Sequence, residues 1–180
     1  QMAYGQYMLE HKTLIPDHTI YSWTDATNTT IYCSWFAEIL LYLMHNVGGL
    51  ELLFAFRYAV VVAALALGWH FAARVGLKAR PELFVSLVVF ALASYVGTIL
   101  KPELFSFGFF ALWGYLSFRF RLAAHQGQPY GRYLWSLPLV MVLWTNSHGV
   151  FVFGVLGLCV MLGGELFNLL FSRSEERRVG

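Results

Sequence analysis

Long apolar stretches separated by short polar turns constrain the fold of this chain more than any other sequence feature. The longest, residues 51–75 and 150–171, each have the roughly 20 residues that an α-helix needs to cross a bilayer. Only 12% of the residues are charged, whereas soluble domains carry about 25%. Too little polar surface therefore remains to face water on all sides, and the sequence predicts an all-α integral membrane protein.

The apolar stretches predict a polytopic transmembrane bundle with one additional short helix that is interfacial or half-spanning. The short helix covers residues 34–45 and is ended by Asn46 and the Gly48–Gly49 pair, because asparagine and paired glycines favour turns. Five membrane helices are predicted from the remaining runs. They cover residues 51–75, 82–100, 104–120, 133–144 and 150–171.

The two ends of the chain differ from the helical part. Residues 1–33 are polar and aromatic and are predicted to form an outer loop with an interfacial helix. Residues 173–180 resemble the translated read-through of a common sequencing adapter. We expect them to be a non-native tail, with a native basic cap after a membrane helix as the alternative. The predicted unit is one membrane fragment, residues 1–172, whose helices occupy residues 34–172.

Basic residues in the short loops predict the orientation of the bundle, because lysine and arginine favour the cytoplasmic side. The loop after the first span contains Arg74, Lys78 and Arg80, and the loop after the third contains Arg119, Arg121 and Arg132. Alternating crossings place both loops on one side, which is predicted to be cytoplasmic. The extracytoplasmic side then collects the other polar residues, which are Asp17, His18, Asp25, Glu38, Lys101, Glu103, Asn146 and His148.

Three of these residues are candidate acid–base groups. Glu38 is followed by apolar residues, and a carboxylate in such surroundings suits proton transfer; a polar stripe facing the interface is the alternative. Glu103 either accepts a proton or a metal ion, or stabilises a helix start through the backbone dipole. Asp17 and His18 form a polar turn, but two ligands are fewer than the three or four that a metal site needs.

Three further residues are candidates for binding phosphate. Lys101 offers a compact positive charge, and the alternative is a lysine that extends to the membrane interface. Asn146 and His148 lie in the turn between two predicted helices. Polar residues at membrane depth are costly unless they have partners or a task. Their alternative role is to satisfy backbone groups exposed where the two helices turn.

Several short motifs, taken in order, resemble the GT-C glycosyltransferase superfamily, in particular its bacterial mannosyl- and aminoarabinose-transferase-like branch. The resemblance extends from the start of the chain to about residue 172 and depends on the order of the motifs between helices. The motifs are Ile15-Pro16-Asp17, Trp35-x-x-Glu38 with Tyr42, Gly48-Gly49, Lys101-Pro-x-Leu-Phe-Ser and Trp144-x-Asn-x-His-Gly.

This resemblance implies transfer of a sugar from a polyprenyl-phosphate donor on the extracytoplasmic face of the bacterial inner membrane. The implied partners are membrane lipid and the lipid-linked donor, and a requirement for a divalent metal stays open. It implies catalytic roles for Glu38, Asp17 and Glu103, and binding of phosphate or substrate by Lys101, His148, Asn146, Trp35 and Tyr42.

The departures from the superfamily pattern concern the start of the chain and Lys101. The acidic residue of the first outer loop and the first membrane helix are expected to lie before Gln1, so the fragment is expected to be inactive alone. Lys101 replaces the usual arginine and loses its bidentate phosphate contact. A transporter or permease fragment and a non-catalytic membrane subunit are the competing interpretations. No nucleic-acid partner is expected, because the basic residues form no stripe.

Overall fold

The computed structural model describes residues 2–14, 34–74, 76 and 101–179, with side chains described as far as residue 167. The described chain is all-helical. The predicted span 82–100 and the candidate residue Asp17 lie outside the described residues. The helices are α1 (Met2–Glu10), α2 (Trp35–Arg74), α3 (Glu103–His125), α4 (Gly131–Thr145) and α5 (Val152–Val179), with a 3₁₀ turn at Gly149–Phe151 between α4 and α5.

The predicted break after the short helix is confirmed inside α2. Gly48 has φ −138° and ψ 18°, and Gly49 has φ 61° and ψ −154°. The conformation of Gly49 is accessible almost only to glycine, because a Cβ atom would clash with the backbone. The α2 helix is therefore two helical segments that meet at this glycine pair, as the sequence predicts.

The helix starts of the described residues agree with the sequence to within two residues, whereas two predicted helix ends are wrong. The helix predicted to end at residue 171 continues to Val179. The helix predicted to end at Phe120 continues to His125, because the polar residues that follow Phe120 contain no helix breaker before Gly127. The chain turns at Gly127, which has a φ of +63°. The N–H group of Gly127 donates to the carbonyl oxygen of Ala124 at 3.2 Å. A left-handed glycine just past the last turn is a common helix end.

Two helices among the described residues are long and apolar enough to cross a membrane, namely α2 and the stretch Gly149–Phe167. Only 6% of the most apolar window in Gly149–Phe167 is buried. Along α5, large side chains such as Val160 and Leu162 are more than 60% exposed. An apolar surface of this length is costly in water and suited to lipid, which supports association with a membrane.

Two apolar clusters hold the helices together. One joins α2 to α3 through Ala37, Leu41, Leu53 and Phe105. The second joins α3 to α4 through Trp113, Leu137, Val140 and Trp144, and residues of α5 pack against it. The clusters bring the start of α3 close to both the start of α2 and the end of α4, and this arrangement positions the polar residues described below.

The α1 helix packs on α2 through a glycine. A Cβ atom at Gly5 would overlap the backbone carbonyl oxygen of Glu38 and approach the Cβ atom of Tyr42. We therefore expect Gly5→Ala to lower the free energy of unfolding by about 1–3 kcal/mol through overpacking, measured by thermal unfolding in detergent. Gly163→Ala is the matched control, because nothing lies within 4 Å of a Cβ at Gly163. Equal stabilities of the two variants would contradict this account of the α1–α2 contact.

Candidate functional site

Polar residues from three separate segments meet at one end of the described bundle. The segments are the start of α2, the start of α3 and the turn between α4 and the 3₁₀ turn. The indole Nε1 of Trp35 donates to the side-chain Oδ1 of Asn146 at 2.7 Å, and the backbone N–H of Phe36 donates to the carbonyl oxygen of Asn146 at 3.0 Å. Asn146 therefore joins α2 to the end of α4, although the two segments are 111 positions apart in sequence.

Both polar atoms of the Asn146 side chain form hydrogen bonds in this junction. Its Nδ2 donates to the carbonyl oxygen of Val142 at 2.7 Å, while its Oδ1 accepts from Trp35. The last carbonyls of a helix and its first N–H groups lack partners within the helix, and Asn146 supplies both kinds of partner here. These contacts favour the structural alternative for Asn146, in which it positions neighbouring residues rather than binding phosphate itself.

Ser106 is the centre of the cluster on the α3 side. Its hydroxyl is buried, accepts a hydrogen bond from Trp144 Nε1 at 2.9 Å and lies 3.1 Å from His148 Nδ1. An indole N–H can only donate, so among the described residues His148 Nδ1 is the available acceptor for the hydroxyl proton of Ser106. In this arrangement Nδ1 of His148 accepts the hydroxyl proton, and a hydrogen is carried by Nε2.

His148 therefore presents a donor on its other side. Its Nε2 lies 3.9 Å from Oε1 of Glu103, which is longer than a hydrogen bond. The side chain of Glu103 is 55% exposed and that of His148 is 22% exposed. The Nε2–H group and the carboxylate thus lie side by side, and both side chains are partly exposed. Lys101 is exposed in the turn that leads into α3, two residues before Glu103.

The other predicted site residues lie deeper or are only partly exposed. Glu38 is in the first turn of α2 and only 3% exposed. Its backbone carbonyl lies beside Gly5, where α1 packs on α2. Tyr42 lies one turn further along α2, half-buried beside Gly5. Trp35 is half-buried, and its ring meets Phe36 edge-to-face at a centroid distance of 6.0 Å. Of the predicted site residues, the structure pairs His148 with Glu103 and Asn146 with Trp35.

Two members of this cluster received no role from the sequence. Ser106 and Trp144 both occur in the motifs that carry the superfamily resemblance, yet serine and tryptophan next to apolar residues do not by themselves indicate a polar network. Their pairing depends on the packing of α3 against α4, which brings together positions 38 residues apart. In the described part of the chain, no group of three or more His, Cys, Asp or Glu side chains could hold a metal ion.

Comparison of the chain with protein-family models, with curated proteins and with solved structures found no match. Arguments about function therefore start from the chemistry of this cluster.

Ser106 provides a direct test of the network. We expect Ser106→Ala to lower the free energy of unfolding by about 1–3 kcal/mol, because the buried indole N–H of Trp144 loses its acceptor. Thermal unfolding in detergent measures the effect. Ser136→Ala is the control, because Ser136 bonds only the carbonyl oxygen of Arg132 at an exposed site, where a change of at most about 0.5 kcal/mol is expected. A loss no larger than that of the control would show that the network adds nothing to stability.

Proposed function

We propose that this chain is part of an integral membrane glycosyltransferase in a polytopic helical bundle. The enzyme would move a sugar from a polyprenyl-phosphate donor to an acceptor on the extracytoplasmic face of the bacterial inner membrane. The observation that carries the proposal is the contact of His148 with Ser106 at 3.1 Å and with Glu103 at 3.9 Å, because His148 and Ser106 belong to two separate motifs of the superfamily pattern. The order of the motifs and the apolar helices support the same assignment.

The chemistry of sugar transfer requires two kinds of group. The acceptor oxygen forms a bond to the anomeric carbon while the bond from that carbon to the phosphate oxygen breaks. The acceptor proton needs a base, and the departing polyprenyl phosphate needs donors that stabilise its charge. A base and a donor that lie side by side and are partly exposed, as Glu103 and His148 are at 3.9 Å, suit these needs.

Individual roles follow from exposure and from the existing hydrogen bonds. We assign the phosphate to His148 Nε2 and Lys101, since the first is a free donor and the second is an exposed cation. Glu103 takes the acceptor proton, because its carboxylate is 55% exposed whereas Glu38 is 3% exposed. Asn146 holds the start of α2 beside the end of α4. Asp17, outside the described residues, stays a candidate for the acceptor side.

The length of α3 suits the proposed orientation, although α3 is less apolar than the two helices that could cross a membrane by length and composition. At 1.5 Å per residue, its 23 residues extend about 34 Å, close to the roughly 30 Å hydrocarbon thickness of a bilayer. Glu103 is at one end, and Arg119 and Arg121 are near the other. A carboxylate and a histidine at one surface and arginines at the opposite surface agree with the bias of basic residues toward the cytoplasm.

This orientation predicts the labelling of two single cysteines placed at the ends of α3. In a background with Cys33 and Cys159 replaced by serine, Lys101→Cys should react from outside intact cells with a membrane-impermeant maleimide. Gln128→Cys should react only after the membrane is permeabilised. Both native residues are exposed, so equal reactivity from one side would contradict the proposed crossing of α3.

The proposed enzyme predicts a loss of transfer when this pair of side chains, His148 and Glu103, is changed. We expect His148→Ala and Glu103→Gln each to lower transfer of a radiolabelled sugar from a polyprenyl-phosphate donor by about 100-fold or more. The measurement uses membranes that contain the intact protein and is normalised to its abundance. Gln126→Ala, just past the opposite end of α3 and exposed, is the control and should keep full activity. Unchanged transfer in both site variants would overturn the assignment.

A transporter is the second candidate function, because α2 is discontinuous at Gly48–Gly49 and buries Arg57, which is only 5% exposed. Discontinuous helices and buried charges within a membrane mark many transport sites. The polar contacts described above lie at one end of the bundle rather than beside Arg57, which favours the enzyme. Flux of a lipid-linked sugar across proteoliposomes without transfer would favour the transporter, and neither activity would favour a non-catalytic subunit.

A further inference from the structure

The end of α3 opposite the candidate site contains three arginines in two different environments. Arg121 forms an ion pair with Glu165 at 2.6 Å. Arg119 and Arg132 instead converge on the hydroxyl of Tyr133, at 2.7 Å and 2.6 Å respectively. No carboxylate of the described residues pairs with either of them. Two positive charges therefore share one neutral acceptor.

Aromatic rings hold these two cations in place. Arg119 also donates to the hydroxyl of Tyr115 at 2.9 Å, and its guanidinium lies 5.1 Å from the centroid of the Tyr133 ring. Arg132 lies over the same ring at 4.6 Å. Cation–π contacts orient a guanidinium without neutralising its charge. Each guanidinium has five N–H donors, so donors remain for a further partner.

A cavity lies beside Arg132 and Tyr133. It has a volume of about 360 Å³ and is lined by Gln128, Pro129, Gly131, Arg132 and Tyr133. This volume is at the lower end of the range for small-ligand sites. Arg132 lines the cavity itself, whereas Arg119 is linked to the cavity through its hydrogen bond to Tyr133.

The aromatic residues nearby indicate the depth of the cavity in a membrane. Trp135 is 76% exposed and Tyr130 is 45% exposed, and both lie at the start of α4. Exposed tryptophan and tyrosine concentrate at the level of lipid headgroups. In the membrane orientation proposed above, this arginine pair lies where phosphate groups of lipids are abundant.

We propose that Arg119, Arg132 and Tyr133 form a phosphate-binding site whose ligand is the headgroup of an anionic phospholipid in the cytoplasmic leaflet. Phosphate oxygens accept several guanidinium N–H groups at once. A bound phosphate would relieve the repulsion between the two cations. Basic pockets on the cytoplasmic side of membrane helices commonly bind anionic headgroups in this way. The site is separate from the proposed transferase cluster and does not depend on its activity.

The test measures lipid binding by the purified chain. Native mass spectrometry in mild detergent would record retained phosphatidylglycerol or phosphatidylcholine, and thermal unfolding would be followed with each lipid and with inorganic phosphate alone. We expect phosphatidylglycerol to bind at least 10-fold more tightly than phosphatidylcholine. Arg132→Gln should remove most of this preference, because it removes a guanidinium that lines the cavity. Arg132 is exposed, so its replacement should leave the packing of α3 and α4 intact.

Arg74→Gln is the matched control, because Arg74 is another exposed cation on a helix end and its removal changes the net charge equally. This variant should keep the preference for phosphatidylglycerol. Equal weakening by Arg132→Gln and Arg74→Gln would reduce the effect to general surface charge and overturn the site. Stabilisation by inorganic phosphate alone, with no preference between the two lipids, would overturn the lipid headgroup as the ligand and assign the site to free phosphate.

Discussion

The buried hydroxyl of Ser106 is the interaction on which the arrangement of the polar residues depends. A hydroxyl in an apolar interior is costly unless it is hydrogen-bonded, and Ser106 satisfies this requirement with Trp144 and His148. The indole can only donate, so the hydroxyl proton goes to the imidazole. One serine therefore joins α3 to the end of α4 and also decides which nitrogen of His148 faces the surface.

The residues at this end of the bundle divide into those that hold the structure and those that stay open to a ligand. Asn146 uses its amide and its carbonyl within the protein, which fixes the start of α2 beside α4. His148 and Glu103 are instead partly exposed and only 3.9 Å apart. The proposed transferase chemistry depends on this division, because a donor that is already hydrogen-bonded within the protein cannot also stabilise a departing phosphate.

The two ends of α3 have opposite chemical character. Glu103 and the histidine beside it lie at one end, and the other end carries Arg119 and Arg121, one bonded to tyrosines and one paired with Glu165. A helix about as long as a bilayer is thick keeps these groups apart. The proposed sugar-transfer site and the proposed headgroup site are therefore compatible, since they would face different leaflets.

The sequence alone determined the helical class, the apolar surfaces and the break at Gly48–Gly49, because these depend on hydropathy and on local backbone sterics. It also indicated His148, Glu103 and Asn146 as polar residues at helix ends. Only the tertiary structure decided which of them meet: Asn146 turned inward to Trp35, while Ser106 selected the tautomer of His148. The physical reason is that a hydrogen bond between residues more than 40 positions apart depends on how the helices pack. The spacing of residues along the chain does not determine that packing.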